Sequence, residues 1–136
     1  MPLLKMEHYL VMTSDIEATR AFYCNALGFS DGFRPDLGFP GYWLYLGGTP
    51  VIHIAEWETY TAHSHRLGLQ VTTPAHSTGA LDHIAFHAGD YEDFLARLAA
   101  HGVPADRHDT PAAGLRQLFL RDPNGIKLEI NFFSPR

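Results

Sequence analysis

Cysteine is almost missing from this chain of 136 residues, where Cys24 stands alone. A single thiol supports neither a disulfide framework nor a cysteine-based zinc cluster, and it suits a reducing, cytoplasmic setting. Long apolar runs are missing too. Nothing approaches the ~20 residues that cross a bilayer. The opening MPLLKMEHYL lacks the apolar stretch and small-residue cleavage site of a secretory leader, so no membrane partner is expected. Positive charge is scarce: 10 Lys and Arg face 15 Asp and Glu, for a net charge of −5. Nucleic-acid binding needs a basic face, and this balance argues against it. Charged residues reach only 18% and hydrophobic ones 46%, which excludes a disordered chain. The length suits one globular domain over residues 1–136.

Histidine, by contrast, is plentiful at nine copies, and the chain repeats itself. His8 to Met12 reads as a strand. Ser14 and Glu17 have the spacing of a capping box, and Ile16, Thr19, Phe22, Tyr23 and Leu27 form a helical stripe stopped by Gly28. The second half follows the same plan. His83 to His87 reads as a strand, Asp90 as an N-cap, Tyr91, Phe94, Leu95 and Leu98 as the stripe, and Gly102 as the stop. Seven residues separate His8 from Asp15, and seven separate His83 from Asp90. Strands are expected over 29–33, 42–46 and 51–54, then over 104–108, 117–120 and 126–130, the last two joined by the turn Asp122-Pro123-Asn124-Gly125. The expectation is an α+β fold of two βαβββ modules, over about 4–57 and 81–133. Residues 58–80, rich in Thr, His, Gly and Pro, read as the connection.

The repeat carries a geometric argument. His8 and His83 lie 75 residues apart in equivalent positions; His53 follows His8 by 45 residues, and Glu129 follows His83 by 46. Apolar neighbours flank each of the later two: Ile52 and Ile54 beside His53, Leu128 and Ile130 beside Glu129. Strand alternation then turns His53 and Glu129 away from the core. Modules packed about a pseudo-twofold axis would bring all four side chains to one centre. Three imidazoles and a carboxylate suit a divalent first-row metal: Fe(II), Zn, Ni, Mn or Co.

The run from His8 through Asp15-Ile-Glu-Ala-Thr-Arg-Ala-Phe22-Tyr23 to Leu27-Gly28-Phe29 resembles the opening of the vicinal oxygen chelate superfamily. Leu81-Asp82-His83-Ile-Ala-Phe and Asp122-Pro-Asn-Gly-Ile-Lys-Leu-Glu129-Ile resemble its second-module signatures. That group includes glyoxalase I, extradiol ring-cleavage dioxygenases, fosfomycin-resistance enzymes and bleomycin-resistance proteins. The resemblance implies a cupped mixed sheet around a metal, with His8, His83 and Glu129 as ligands. It also implies a small-molecule substrate and a homodimer, in some members with each site built from two chains. In glyoxalase I the fourth ligand is usually a glutamate, where this chain has His53. In the dioxygenases a histidine near that place serves as acid/base, and a tyrosine ten residues before the Glu ligand helps bind the diol. Phe119 holds that position here, with Tyr45 taken as its repeat equivalent. The fosfomycin branch usually carries an arginine some nine residues past the glutamate, whereas Arg136 stands seven past it.

The leading expectation is extradiol cleavage of a catechol-like substrate at Fe(II), with His53 as the proton-transfer residue. The alternative is glyoxalase-like lyase or isomerase chemistry through an enediolate at Ni or Zn, with His53 as fourth ligand. A third reading is a binding protein that sequesters a small aromatic compound without turnover. Trp43, Tyr45, Gln117 and Phe119 are expected to line the substrate pocket. His87 suits a supporting role, His63, His65 and His76 lie in the connection, and His101 and His108 read as surface residues.

Overall fold

A computed structural model describes residues 2–134. The strands are β1 (Tyr9–Thr13), β2 (Ser30–Gly32), β3 (Gly41–Leu46), β4 (Thr49–Glu56), β5 (Ile84–His87), β6 (Asp106–Thr110), β7 (Leu115–Arg121) and β8 (Lys127–Phe133). Helices α1 (Ile16–Ala21), α2 (Trp57–Leu67) and α3 (Tyr91–Ala100) accompany them. Two four-stranded mixed sheets result, in the orders β1-β4-β3-β2 and β5-β8-β7-β6. The α+β fold of two βαβββ modules is therefore present. The chain divides into two compact units, one of residues up to Cys24 plus Gly28–Pro74, the other of Asn25–Leu27 and the residues from Ala75 onward.

Each sheet is organised by its second strand. β4 pairs parallel with β1 and antiparallel with β3, while β8 pairs parallel with β5 and antiparallel with β7. A strand with neighbours on both sides has its backbone hydrogen bonds satisfied, so its side chains alone decide which face is buried. In β4, Ile52 and Ile54 are buried; in β8, Leu128, Ile130 and Phe132 are. Helix α1 covers β4 and β3. Helix α3 sets Tyr91 and Phe94 edge-on against Phe132, at 5.1 and 5.6 Å between ring centres. The residues between the buried ones, His53 and Glu129, face the other way and are half-buried.

Local chemistry departs from the sequence reading in several places. Asp15, not Ser14, caps α1: its carboxylate accepts from Ala18 N–H at 3.0 Å. Glu17 is drawn off instead to the Tyr42 hydroxyl and to Arg20, so no capping box forms. Helix α1 ends in a π-helical turn over Phe22–Ala26, and Gly28 at φ 87° supplies the expected stop. Asp90 holds the N-cap place of α3 but accepts no capping bond, sitting in the left-handed region at φ 57°. β6 begins at Asp106 rather than residue 104, where Pro104 has no N–H to give a ladder. The first part of the presumed connection is the helix α2, closed by Gly68 at φ 69°.

The cap assignment is testable. Asp15→Ala is expected to lower the unfolding free energy by about 1 kcal/mol, while Ser14→Ala should stay within ~0.5 kcal/mol of the parent. Urea unfolding followed by circular dichroism separates the two, and a larger loss for Ser14→Ala than for Asp15→Ala would return the cap to Ser14.

Candidate functional site

In the first unit, His8 lies just before β1 and His53 in the middle of β4. The β1–β4 register pairs Leu10 with His53, so His8 sits two residues ahead of the residue opposite His53. The two imidazoles stack, with ring centres 3.6 Å apart and planes 10° apart. Trp43 faces His53 directly across β3 and stacks on it from that side, at 4.2 Å and 12°. Covered by both rings, His53 titrates well below its ordinary range. Burial and the neighbouring His8 lower its pKa from 6.5 to about 4. The Glu7 carboxylate accepts from His8 Nδ1 at 2.9 Å, which leaves the Nε2 lone pair free for another partner.

The second unit repeats these relations. His83 lies just before β5, two residues ahead of Ala85, which pairs with Glu129. His83 Nε2 and Glu129 Oε1 are 3.4 Å apart. The preceding acid again holds the imidazole, Asp82 Oδ2 lying 2.7 Å from His83 Nδ1. Lys127 Nζ also reaches that oxygen at 2.7 Å. Lys127 first, and His83 second, pull the Asp82 pKa down to about 2. Behind Glu129, Asn131 Nδ2 donates to Oε2 at 2.8 Å, and Gln117 Nε2 donates to Asn131 Oδ1 at 3.0 Å. Asn131 thus occupies one carboxylate oxygen and leaves Oε1 toward His83.

The donor types fit a divalent ion of the first transition row: imidazoles held through Nδ1 by a neighbouring acid, a neutral imidazole at His53, and a carboxylate with one oxygen held. The structure brings His8 to His53 and His83 to Glu129. Among the described residues, no three His, Cys, Asp or Glu side chains gather as a metal site.

Of the expected pocket residues, Trp43 lines a cavity of about 130 Å³ in the first unit, with His8, Leu10, Arg34, His53 and Tyr60. Tyr45 does not. Its hydroxyl donates to the Phe33 carbonyl at 2.6 Å, and its ring occupies the space where a Cβ on Gly32 would stand. Nor is Tyr45 the counterpart of Phe119. Phe119 faces Glu129 as Trp43 faces His53, and β3 shifts register between Leu44 and Tyr45. Gln117 is engaged by Asn131. Phe119 lines a separate cavity of about 250 Å³ with Asp106, Arg121 and Lys127. His87 packs edge-on against Phe133, and His63 lies on Phe39 at 4.8 Å. Arg136 lies outside the described residues.

Sequence reasoning missed Glu7, Asp82, Arg34, Phe39 and Tyr60. The first two had a signal, since an acid precedes the histidine in both halves of the repeat. Arg34 and Phe39 sit between β2 and β3, where no strand period marks them. Tyr60 is on the helix that was read as connection.

A family model described as the Glyoxalase/Bleomycin resistance protein/Dioxygenase superfamily matches residues 5–130. The uncharacterized protein YwkD of Bacillus subtilis is 28% identical over 134 residues, covering 96% of this chain and 98% of its own. Among solved structures, lactoylglutathione lyase from Agrobacterium tumefaciens superposes with a TM-score of 0.71 at 18% identity, over 96% of this chain and 95% of that one. The fosfomycin resistance protein FosX from Listeria monocytogenes gives 0.70 at 16% identity, over 97% and 95%. At these identities the superpositions establish the fold. Among the described residues, no helix is long and apolar enough to cross a membrane.

The state of His53 can be read directly from ring-proton NMR of metal-free protein, with a midpoint expected at about 4. Trp43→Ala should move it back toward 6.5, because the ring regains water. Between those two pH values the unfolded chain binds a proton that folded His53 refuses, so His53 makes stability fall as pH drops through this window. An unshifted midpoint in the parent protein would contradict the assignment.

Proposed function

We propose that this chain, which belongs to the Glyoxalase/Bleomycin resistance protein/Dioxygenase superfamily, is a metal-dependent lyase or isomerase. Its substrate is a small compound that chelates a divalent ion through two adjacent oxygens. His8, His83 and Glu129 are the assigned ligands, and His53 the fourth. One observation carries the reading: in register, His53 stands to His8 as Glu129 stands to His83. A residue equivalent to a ligand, and neutral to about pH 4, is better suited to bind an ion than to shuttle protons near neutrality.

When bound, an ion such as Ni or Zn supplies Lewis acidity to the paired substrate oxygens. The chain's own residues prepare the donors. Glu7 and Asp82 hold the imidazole tautomers. Asn131 occupies the second Glu129 oxygen, and Trp43 shields His53 from water. Extradiol cleavage at Fe(II) has less support. It would use a hydroxyl opposite the glutamate, where Phe119 has none, and the Tyr45 hydroxyl is spent on Phe33. Sequestration without turnover gives no role to the acid-held histidine in each half. The single cysteine suits a cytoplasmic setting. The partner assigned is a second copy of the chain, in keeping with its superfamily.

Two experiments test this reading. His53→Gln should weaken Ni or Zn binding by more than the ~100-fold that losing an outer partner of a ligand can cost. Unchanged metal content with turnover depressed ~10²–10⁴-fold would make His53 a proton-transfer group instead. For the dimer, His8→Ala and Glu129→Ala proteins are each expected to bind metal poorly. Unfolded and refolded together, they should regain roughly a quarter of the sites if copies pair at random and share sites. No recovery on mixing would put each site within one chain.

A further inference from the structure

The cavity beside His53 contains a cation that the assigned ligand set does not use. Arg34 comes from the segment between β2 and β3 and is half-buried among Leu37, Phe39, Trp43 and Tyr60. One of its five N–H donors is accounted for, with Nη2 donating to the Phe39 carbonyl at 2.9 Å. Its guanidinium carbon lies 4.9 Å from the centre of the Phe39 ring. That ring is held from its other contacts by Tyr60 and His63. Among the described residues no carboxylate comes within ion-pairing distance of Arg34. The acid on its own loop, Asp36, acts on Arg34 only through space and accepts from Gly38 N–H at 3.0 Å.

The guanidinium lies against the sheet at Gly41, where a Cβ would stand 3.2 Å from Arg34 Nη2; the glycine itself is required by the Ile54 carbonyl, 2.1 Å from that Cβ. Burial lowers the Arg34 pKa, yet a guanidinium keeps its charge throughout the working range. A half-buried guanidinium with no carboxylate in contact is open to an anion that arrives with a ligand.

We propose that Arg34 recognises a carboxylate on the ligand, so that the cavity takes a small planar monocarboxylate, oriented by the guanidinium at one end and by the His53 side at the other. This rests on reading the cavity as part of the substrate site, and it names the substrate class of that site. The planar fork of arginine matches a carboxylate through two parallel hydrogen bonds. A volume of about 130 Å³ is close to the ~150 Å³ cavity that accommodates a single benzene ring, which keeps the ligand small.

The test is made on the metal-free full-length chain in the presence of chelator, so that its outcome is independent of turnover and of bound metal. Benzoate and benzamide share size and shape and differ in charge. Trp57→Phe leaves Trp43 as the only tryptophan, and quenching of its fluorescence reports occupancy of this cavity. Benzoate is expected to bind ~10-fold or more tightly than benzamide at low salt, the range of a charge-assisted pair. Arg34→Gln should remove most of that preference, and Arg34→Lys should retain part of it as a point charge. Equal binding of the two probes to the Trp57→Phe protein would overturn the proposal without any further variant. So would a benzoate preference that survives in folded Arg34→Gln protein, or inorganic phosphate displacing benzoate at equal concentration. Failure of the metal experiments with this preference intact would remove the enzymatic reading and leave carboxylate binding standing.

Discussion

Parallel pairing of the first and last strands of each unit is the constraint on which the rest depends. In β1–β4 and in β5–β8 the same offset puts a histidine two residues ahead of the residue opposite the outward-facing side chain of the second strand. A slip of one residue would bury His53 or Glu129 and expose Ile52, Ile54, Leu128 and Ile130. Those apolar residues, all at most 2% exposed, therefore hold the register. Burial of the core face and presentation of the donor face are one event.

The donor face is then refined by partners that cost little sequence. Glu7 and Asp82 sit next to the histidines they hold, and an exposed acid in that place serves only if its neighbour's ring turns toward it. Asn131 follows Glu129 on the same face of β8 because side chains alternate with a period of two. Trp43 and Phe119 stand opposite His53 and Glu129 for the same reason. The halves differ where it matters chemically. An imidazole stacked between two rings occupies the place that a carboxylate bonded by the Asn131 amide, itself held by Gln117, takes in the other half. One is kept neutral by its cover, while the other keeps one oxygen free.

Much of this was legible in the residues. Ile52-His53-Ile54 and Leu128-Glu129-Ile130 state which side chains turn outward, and the histidine spacing states that the two halves correspond. The turn at Asp122 to Gly125 and the stops at Gly28 and Gly102 were visible because each needs a particular backbone freedom. The helix α2 was hidden, since Thr59, Thr61 and three polar residues around His63 dilute any apolar stripe. The counterpart of Phe119 was misassigned to Tyr45 because a register shift inside β3 breaks simple parity. Arg34 carried no signal at all: its contacts are a carbonyl and a ring that only the folded chain assembles.

The central claim is that His53 belongs with His8, His83 and Glu129 as a metal ligand. A crystal structure of the Ni-loaded protein, with the ion located by its anomalous scattering, measures this most directly. The expected result is an ion with nitrogen of all three histidines and an oxygen of Glu129 in its coordination shell, His53 at about 2.0–2.1 Å. An ion held by His8, His83 and Glu129 while His53 stands beyond bonding distance would contradict it.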